Sequence, residues 1–224
     1  MNHIFVDFEM NPIEKKYKEV RQICTHEIIE IGAVMLDENY EEIAAFKRYV
    51  KPEYSTEINK KCRELTGITT EMVQDAPGFE EALLEFVIWC MDQGEPFEIY
   101  AWSENDLLQL TGEMRLKGIE LVDELVYIVE HWNDFQKNFC DLLGLYKPIS
   151  LEAAVGSVGK KFVGRIHDAL WDARNTAYIY RLSRDTETFR AVMKPIMELL
   201  QPKEECTCML GELFNLNELI YGAS

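Results

Sequence analysis

Three apolar stretches in the first fifty residues have the pattern of β-strands. They run from Ile4 to Phe8, from Ile28 to Leu36 and from Ile43 to Val50, and polar or turn-forming residues bound each one. Because they follow one another closely, they predict an antiparallel meander. A further strand is predicted from Phe97 to Trp102, where aromatic and β-branched residues are enriched.

Apolar residues spaced three and four apart predict helices in the rest of the chain. After Pro52, Ser55 and Thr56 are candidate helix caps, and GFEEALLEFVIWCMD continues the helical pattern. ENDLLQLTGEMRLKG predicts a helix that stops at Gly118, and SLEAAVGSVG and DARNTAYIYRLSR predict two more. Residues 123–145 are mostly helical in pattern, although ELVYIVEHW fits a short strand equally well.

This order of strands and helices predicts an α/β architecture, in which helices cover a mixed sheet. A chain of 224 residues is long enough for one sizeable core and too short for two comfortable domains. We expect one domain over residues 1–184. Residues 185–224 are expected to form a helical extension that covers the domain or binds a partner.

The composition favours a folded protein in a reducing compartment. It is 47% hydrophobic and 28% charged, and no segment is long and apolar enough for a membrane helix. Asp7 and Glu9 fall where the apolar core of a signal peptide would lie, so we expect a cytoplasmic protein. The six cysteines are interpreted as reduced thiols. Cys206 and Cys208 raise a metal-site hypothesis, but no second ligand pair lies nearby.

The net charge of −17 argues against a protein that coats nucleic acid non-specifically. This net charge does not exclude an enzyme whose basic residues are local. Three short basic clusters occur, and each is interpreted first as a solvated face. The clusters are Lys15, Lys16, Lys18 and Arg21; Lys60, Lys61 and Arg63; and Lys160, Lys161 and Arg165.

Two acids, Asp7 and Glu9, lie at the end of the first apolar run, where charge is unexpected in a buried strand. Alternate side chains of a strand share a face, so the two carboxylates point the same way and repel. A divalent cation such as Mg²⁺ or Mn²⁺ removes that cost, because both prefer oxygen ligands. The alternative is an exposed strand end with two solvated acids.

Two later segments carry further candidate groups. Asp106 lies where the strand ending at Trp102 runs into a helix, at a sheet edge where ligands collect. His167 and Asp172 are five positions apart, so on one continuous helix they would be separated by roughly 140°. We infer that His167 lies on a loop before the helix that carries Asp172. Asp168 is the competing acid, and it is better placed to cap that helix.

Taken in order, these motifs resemble the DEDDh family of 3′-to-5′ exonucleases, which includes RNase T and the proofreading subunits of bacterial polymerases. The segment RYVKPEYSTEINKKCRELTGITTEMVQDAPGFEEAL resembles the branch with the ERI-type and KapD-type proteins. The resemblance covers residues 1–184. It implies an RNase H-like fold, an antiparallel meander plus parallel strands flanked by helices, and a phosphodiester hydrolase that uses two ions of Mg²⁺ or Mn²⁺.

Carried over by position, the resemblance assigns Asp7, Glu9, Asp106 and Asp172 to metal binding and catalysis. It makes His167 the general base, a role that suits an imidazole near neutral pH. The expected substrates are single-stranded RNA or DNA 3′ ends, with RNA favoured, and the expected products are nucleoside 5′-monophosphates. No membrane partner is expected.

The same resemblance assigns the terminal nucleotide to a small apolar surface. Its residues are Met10, Leu65, Gly67 and Ile68, on which any base can stack. For Met10 and Ile68, core packing is an equally good interpretation. Two rival functions remain open: a catalytically idle relative that binds nucleic acid or protein, and a proofreading module attached to a polymerase.

Overall fold

A mixed five-stranded sheet organises the part of the chain that the computed structural model describes, residues 1–200. The strands are β1 (Asn2–Pro12), β2 (His26–Leu36), β3 (Glu42–Tyr49), β4 (Phe97–Ala101) and β5 (Trp132–Asp134). Their order across the sheet is β3-β2-β1-β4-β5. The first three strands pair antiparallel, whereas β4 pairs parallel with β1 and with β5. The predicted α/β fold class is confirmed.

Ten helices connect and cover these strands within residues 1–200. They are α1 (Val20–Ile23), α2 (Lys60–Thr66), α3 (Thr70–Val73), α4 (Phe79–Met91), α5 (Asn105–Lys117), α6 (Asp123–Glu130), α7 (Phe135–Leu143), α8 (Leu151–Ser157), α9 (Ala169–Ser183) and α10 (Thr186–Leu200). One buried cluster joins Ile4, Val6 and Phe8 of β1 to α4, α5 and α6. A second cluster joins Phe5 to α7, α8, α9 and α10. The sheet is therefore covered on both faces.

One sequence prediction of an element boundary was wrong. The helix expected from Ser55 begins at Lys60, and its N-cap is Asn59, whose side chain accepts a hydrogen bond from the Lys61 N–H. Ser55 instead donates its hydroxyl to the Pro12 carbonyl at 3.1 Å. The ambiguous segment ELVYIVEHW divides between the two interpretations, because α6 occupies most of it and the short edge strand β5 begins at its last residue.

Gly32 allows α9 to begin directly on the sheet. An added Cβ at this position would lie 2.2 Å from both the Ala169 carbonyl carbon and the Leu170 nitrogen, far inside van der Waals contact. The contact explains a glycine in the middle of the buried strand β2, where a larger residue would otherwise be favoured. The first turn of α9 is thereby fixed against β2.

Substitution of Gly32→Ala is expected to lower the free energy of unfolding by about 1–3 kcal/mol, because the methyl group must push the backbone of α9 away. Thermal and chemical denaturation measure this loss. Gly156→Ala in α8 is the control, since a Cβ there meets no heavy atom within 4 Å and alanine is favoured over glycine inside a helix. Equal stability of the two variants would contradict the close packing of α9 on β2.

The last helix of the described residues, α10, packs on the domain through Phe189 and Met193, which are 2% and 0% exposed and lie against the α7 and α9 side of the sheet. The boundary at residue 184 stays a prediction. The remainder of the extension, with Cys206 and Cys208, lies outside the described residues. Of the other cysteines, all four are buried free thiols, as predicted. No helix within residues 1–200 could cross a bilayer.

Candidate active site

Four acids from three separate elements converge at the face of β1 that α9 covers. Asp7 and Glu9 lie on β1, Asp106 lies in the first turn of α5, and Asp172 lies in the first turn of α9. The backbone N–H of Phe8, between the two strand acids, donates to Asp106 Oδ1 at 3.1 Å. Glu9, Asp106 and Asp172 are each only 6–8% exposed. Asp7 is half-buried, so the four carboxylates share one small volume that is open to solvent on one side.

Burial and repulsion from neighbouring carboxylates raise the pKa values of all four groups. Burial is the largest cause in each case, and it raises the pKa of Asp106 to about 7, of Asp172 to about 7 and of Glu9 to about 9. Burial and the charges of Asp106, Asp172 and Glu9 raise the pKa of Asp7 well above its ordinary value. Ionised together, these carboxylates need positive charge close by.

A divalent cation fits this set of donors. Oxygen atoms of Glu9 and Asp172 and a ring nitrogen of His167 lie within 4.8 Å of one another. Asp172 Oδ1 is buried without a hydrogen-bond partner among the described residues, while Oδ2 accepts a hydrogen bond from the His167 N–H at 3.3 Å. A buried carboxylate oxygen with a free lone pair is a ready ligand for a hard cation.

His167 lies on the loop before α9, as the spacing to Asp172 predicted. Its φ is +62°, in the left-handed region, where histidine is found more often than most residues. The side chain is exposed to solvent, in contrast to the buried acids. Asp168, the competing acid, caps α9 by accepting the Trp171 N–H at 3.3 Å. The histidine therefore borders the acids from the solvent side, where a substrate would enter.

The raised pKa values predict how stability depends on pH. Without metal, the folded protein binds more protons than the unfolded chain between the ordinary and the raised carboxyl pKa values. Stability should therefore fall as the pH rises from about 4 to about 9. A divalent cation at about 100 times its Kd should restore about 2.7 kcal/mol at the upper end of this range. Calorimetry near pH 5 and pH 8, with EDTA or Mn²⁺, measures both effects. A thermal unfolding midpoint that changes with neither pH nor Mn²⁺ would contradict a buried, metal-binding cluster of acids.

Glu30 of β2 is a residue of this site that the sequence reasoning missed. It lies directly opposite Glu9 in the strand pairing and is 1% exposed. Its Oε2 accepts the Ala169 N–H at 3.0 Å, and its Oε1 lies 3.0 Å from Lys47 Nζ. Lys47 Nζ also lies 2.6 Å from Asp168 Oδ2. Together these contacts fix the start of α9. The sequence signal that could have identified Glu30 is the presence of an acid inside the apolar run of residues 28–36.

We expect Glu30→Ala to lower kcat by about 10- to 100-fold with little change in KM. A hydrogen bond to a charged group contributes about 1.5–3 kcal/mol, and its loss would let the first turn of α9 move. Glu30→Gln keeps an acceptor for the Ala169 N–H and should retain more activity. Steady-state kinetics test this order, with the exposed Glu38→Ala as control. Equal losses in the Ala and Gln variants would argue against a role for that hydrogen bond.

The residues predicted to contact the terminal nucleotide differ in accessibility. Leu65 is 46% exposed, Met10 is half-buried, and Gly67 ends α2 with a φ of +74°. Ile68 is only 2% exposed. Its burial in the cluster with Ile29, Ile58, Cys62 and Val73 favours the core interpretation. All four substrate contacts stay predictions.

Arg165, another residue that the sequence reasoning did not assign to the site, links this surface to the loop of His167. Its Nη2 donates to the Leu65 carbonyl at 3.2 Å. Its guanidinium lies so close to Gly67 that an added Cβ there would be 1.7 Å from Nη1. The end of α2 and the loop before α9 are thus in direct contact beside the acids.

The mixed sheet thus brings four acids and a histidine together beside its central strand. The sequence model of the RNase T family, described as an exonuclease, matches residues 4–180. The chain therefore belongs to the RNase T exonuclease family. This confirms the resemblance identified from the motifs.

Individual relatives agree with that assignment. The chain is 30% identical over 196 residues to ERI1 exoribonuclease 2 of Danio rerio, covering 79% of this chain and 34% of that protein. It is 27% identical over 183 residues to human 3′-5′ exoribonuclease 1, covering 78% of this chain and 50% of that protein. The chain thus spans between a third and a half of the length of these relatives.

Among solved structures, the nuclease domain of 3′hExo, a DEDDh family member bound to rAMP, has the same fold. Its TM-score is 0.69 at 23% sequence identity, and the match covers 84% of this chain and 94% of that one. The RNase H-like fold class is confirmed by this likeness.

Proposed function

We propose that this chain is a metal-dependent 3′-to-5′ exonuclease that shortens single-stranded nucleic acid, RNA in preference to DNA. The observation that carries the proposal is the convergence of Asp7, Glu9, Asp106 and Asp172 beside His167, in a chain of the RNase T exonuclease family. The four acids come from three separate segments of the chain, β1, α5 and α9, and three of them are buried, so chance surface placement does not account for their convergence.

In this proposal the four carboxylates hold two divalent cations, Mg²⁺ or Mn²⁺. When bound, such ions supply an activated water and neutralise charge on the phosphate and on the departing oxygen. His167 accepts the proton of the attacking water from its exposed position on the loop. Glu30 and Lys47 hold the start of α9, so that Asp172 and His167 keep their positions. The released product is a nucleoside 5′-monophosphate.

Two observations support the end of an RNA strand as the substrate. The curated relatives named above are called exoribonucleases, and one structural relative carries rAMP. In this chain, the half-buried Met10 and the exposed Leu65 offer an apolar surface for a terminal base. Stacking on such a surface tolerates any base, so sequence preference should be weak.

The rival proposal is an exonuclease-like domain that binds nucleic acid or protein without turnover. It is disfavoured because every acid and the histidine of the motif are present. A fluorescent 5′ label on matched RNA and DNA oligomers, incubated with and without Mg²⁺, distinguishes the two. Ladders that shorten by one nucleotide, only with metal and faster on RNA, support the exonuclease. Internal cuts, or binding without cleavage, would overturn it.

A further inference from the structure

Two basic clusters, separated by about forty residues in the sequence, meet in one cleft beyond the end of β1. The cleft has a volume of about 660 Å³, and Lys15, Lys16, Arg21 and Lys60 supply its basic lining. Glu14 and Glu57 are the acids that line it. The first cluster has four basic residues and the second has three, which together make seven of the chain's 23 lysines and arginines. The cleft is a local basic site on a chain of net charge −17.

Hydrogen bonds hold the two walls of this cleft together. The Thr56 N–H and hydroxyl donate to Glu14 Oε1 at 2.8 and 2.9 Å, and Lys16 Nζ lies 2.7 Å from Glu14 Oε2. On the other side, the Asn59 N–H donates to Asn11 Oδ1 at 2.8 Å. The basic residues are thus presented on a defined surface rather than on a loose loop.

The cleft adjoins the candidate active site. Pro12, which lines it, follows Glu9 on β1 by three residues, or about 10 Å at roughly 3.3 Å per residue. Helix α2 connects the two places, since Lys60 at its start lines the cleft and Gly67 at its end contacts Arg165 beside His167. Lys61 and Arg63 of α2 are exposed. A mostly basic band, made of the cleft, α2 with its one acid Glu64, and Arg165, therefore leads up to the acids.

We propose that the cleft is a binding site for the phosphodiester backbone of the nucleic acid strand whose 3′ end enters the acidic site. This inference rests on the proposed function and adds to it where the strand beyond the terminal nucleotides binds. Lysine and arginine neutralise phosphates and release condensed counterions, which drives such binding. Because other surfaces of an acidic chain repel a polyanion, the cleft also selects the direction of approach.

The test compares two triple variants that remove the same charge. The cleft variant carries Lys15→Gln, Lys16→Gln and Lys60→Gln, and the control variant carries Lys137→Gln, Lys147→Gln and Lys194→Gln. All six lysines are exposed, so both variants should fold. Fluorescence anisotropy with a 5′-labelled oligouridine of about twelve nucleotides, in EDTA and at several salt concentrations, measures affinity without turnover.

For the cleft variant, we expect at least tenfold weaker binding at low salt. The slope of log affinity against log salt should become shallower by about 2, since each lost phosphate contact in single strands contributes about 0.7. The control variant should bind like the wild type. An unchanged slope in the cleft variant, or an equal loss in the control variant, would overturn the proposal.

Activity provides a second measurement. The loss of kcat/KM in the cleft variant should be at least tenfold larger on the long oligouridine than on a dinucleotide too short to reach the cleft. Equal losses on both substrates would contradict a backbone site. If the wild type binds the oligomer through the cleft but never shortens it, the exonuclease proposal fails and the binding site stands.

Discussion

Asp7→Asn is expected to lose at least about 10³-fold in the single-turnover rate of 3′-end hydrolysis. Asparagine keeps the shape of the side chain but removes one of the charges that would hold the cations. Several kcal/mol of transition-state stabilisation depends on those ions, and each 1.36 kcal/mol corresponds to a factor of ten. Rapid-quench measurements with a labelled RNA oligomer, at saturating Mg²⁺, determine this loss.

The same substitution should leave the metal-free protein at least as stable as the wild type. Burial, together with the charges of Asp106, Asp172 and Glu9, raises the pKa of Asp7, so its ionised form destabilises the folded protein. Removal of that charge relieves the repulsion. The exposed Asp92→Asn is the control for charge alone and should keep full activity. An active Asp7→Asn variant, or one that unfolds, would contradict the assignment.

His167→Ala is expected to lower kcat by about 10²- to 10⁴-fold, the usual contribution of a positioned general base. The histidine is exposed beside the buried acids, and only its backbone N–H is bonded to Asp172. Its ring is therefore free to accept a proton from a water molecule on the solvent side. Steady-state kinetics on the RNA oligomer measure the loss, with the exposed His26→Ala as control.

A general base and a metal ligand can be distinguished at this position. If His167 is the base, the Ala variant should bind Mn²⁺ like the wild type, and added imidazole should restore part of the rate. If its ring is instead a ligand with Glu9 and Asp172, which lie within 4.8 Å, Mn²⁺ affinity should fall sharply. Loss of affinity without rescue would rule out the base assignment.

The sequence predicted those features of the fold that depend on local periodicity. The three-stranded meander, α4, α5 and α9 follow from apolar spacing, and the alternation of β1 places Asp7 and Glu9 on one face. The loop position of His167 followed from helical geometry alone. In each case the pattern lies within about fifteen residues, which is the range over which such rules operate.

The features that the sequence did not predict depend on contacts between distant residues. Glu30 bonds to the Ala169 N–H, 139 residues away, and Arg165 bonds to Leu65, 100 residues away. The strand β5 has only three residues, too few for periodicity, and its pairing with β4 defines it. The cleft at Pro12 likewise appears only after folding, because its two basic clusters are each an ordinary solvated face in sequence.

We propose that the converging acids hold divalent cations for phosphodiester hydrolysis. Counting Mn²⁺ bound to the wild type in the presence of UMP, by electron paramagnetic resonance, tests it most directly. We predict two tightly bound ions, unchanged in Asp92→Asn and reduced in Asp7→Asn. The same number of bound ions in the wild type and in Asp7→Asn would contradict the claim.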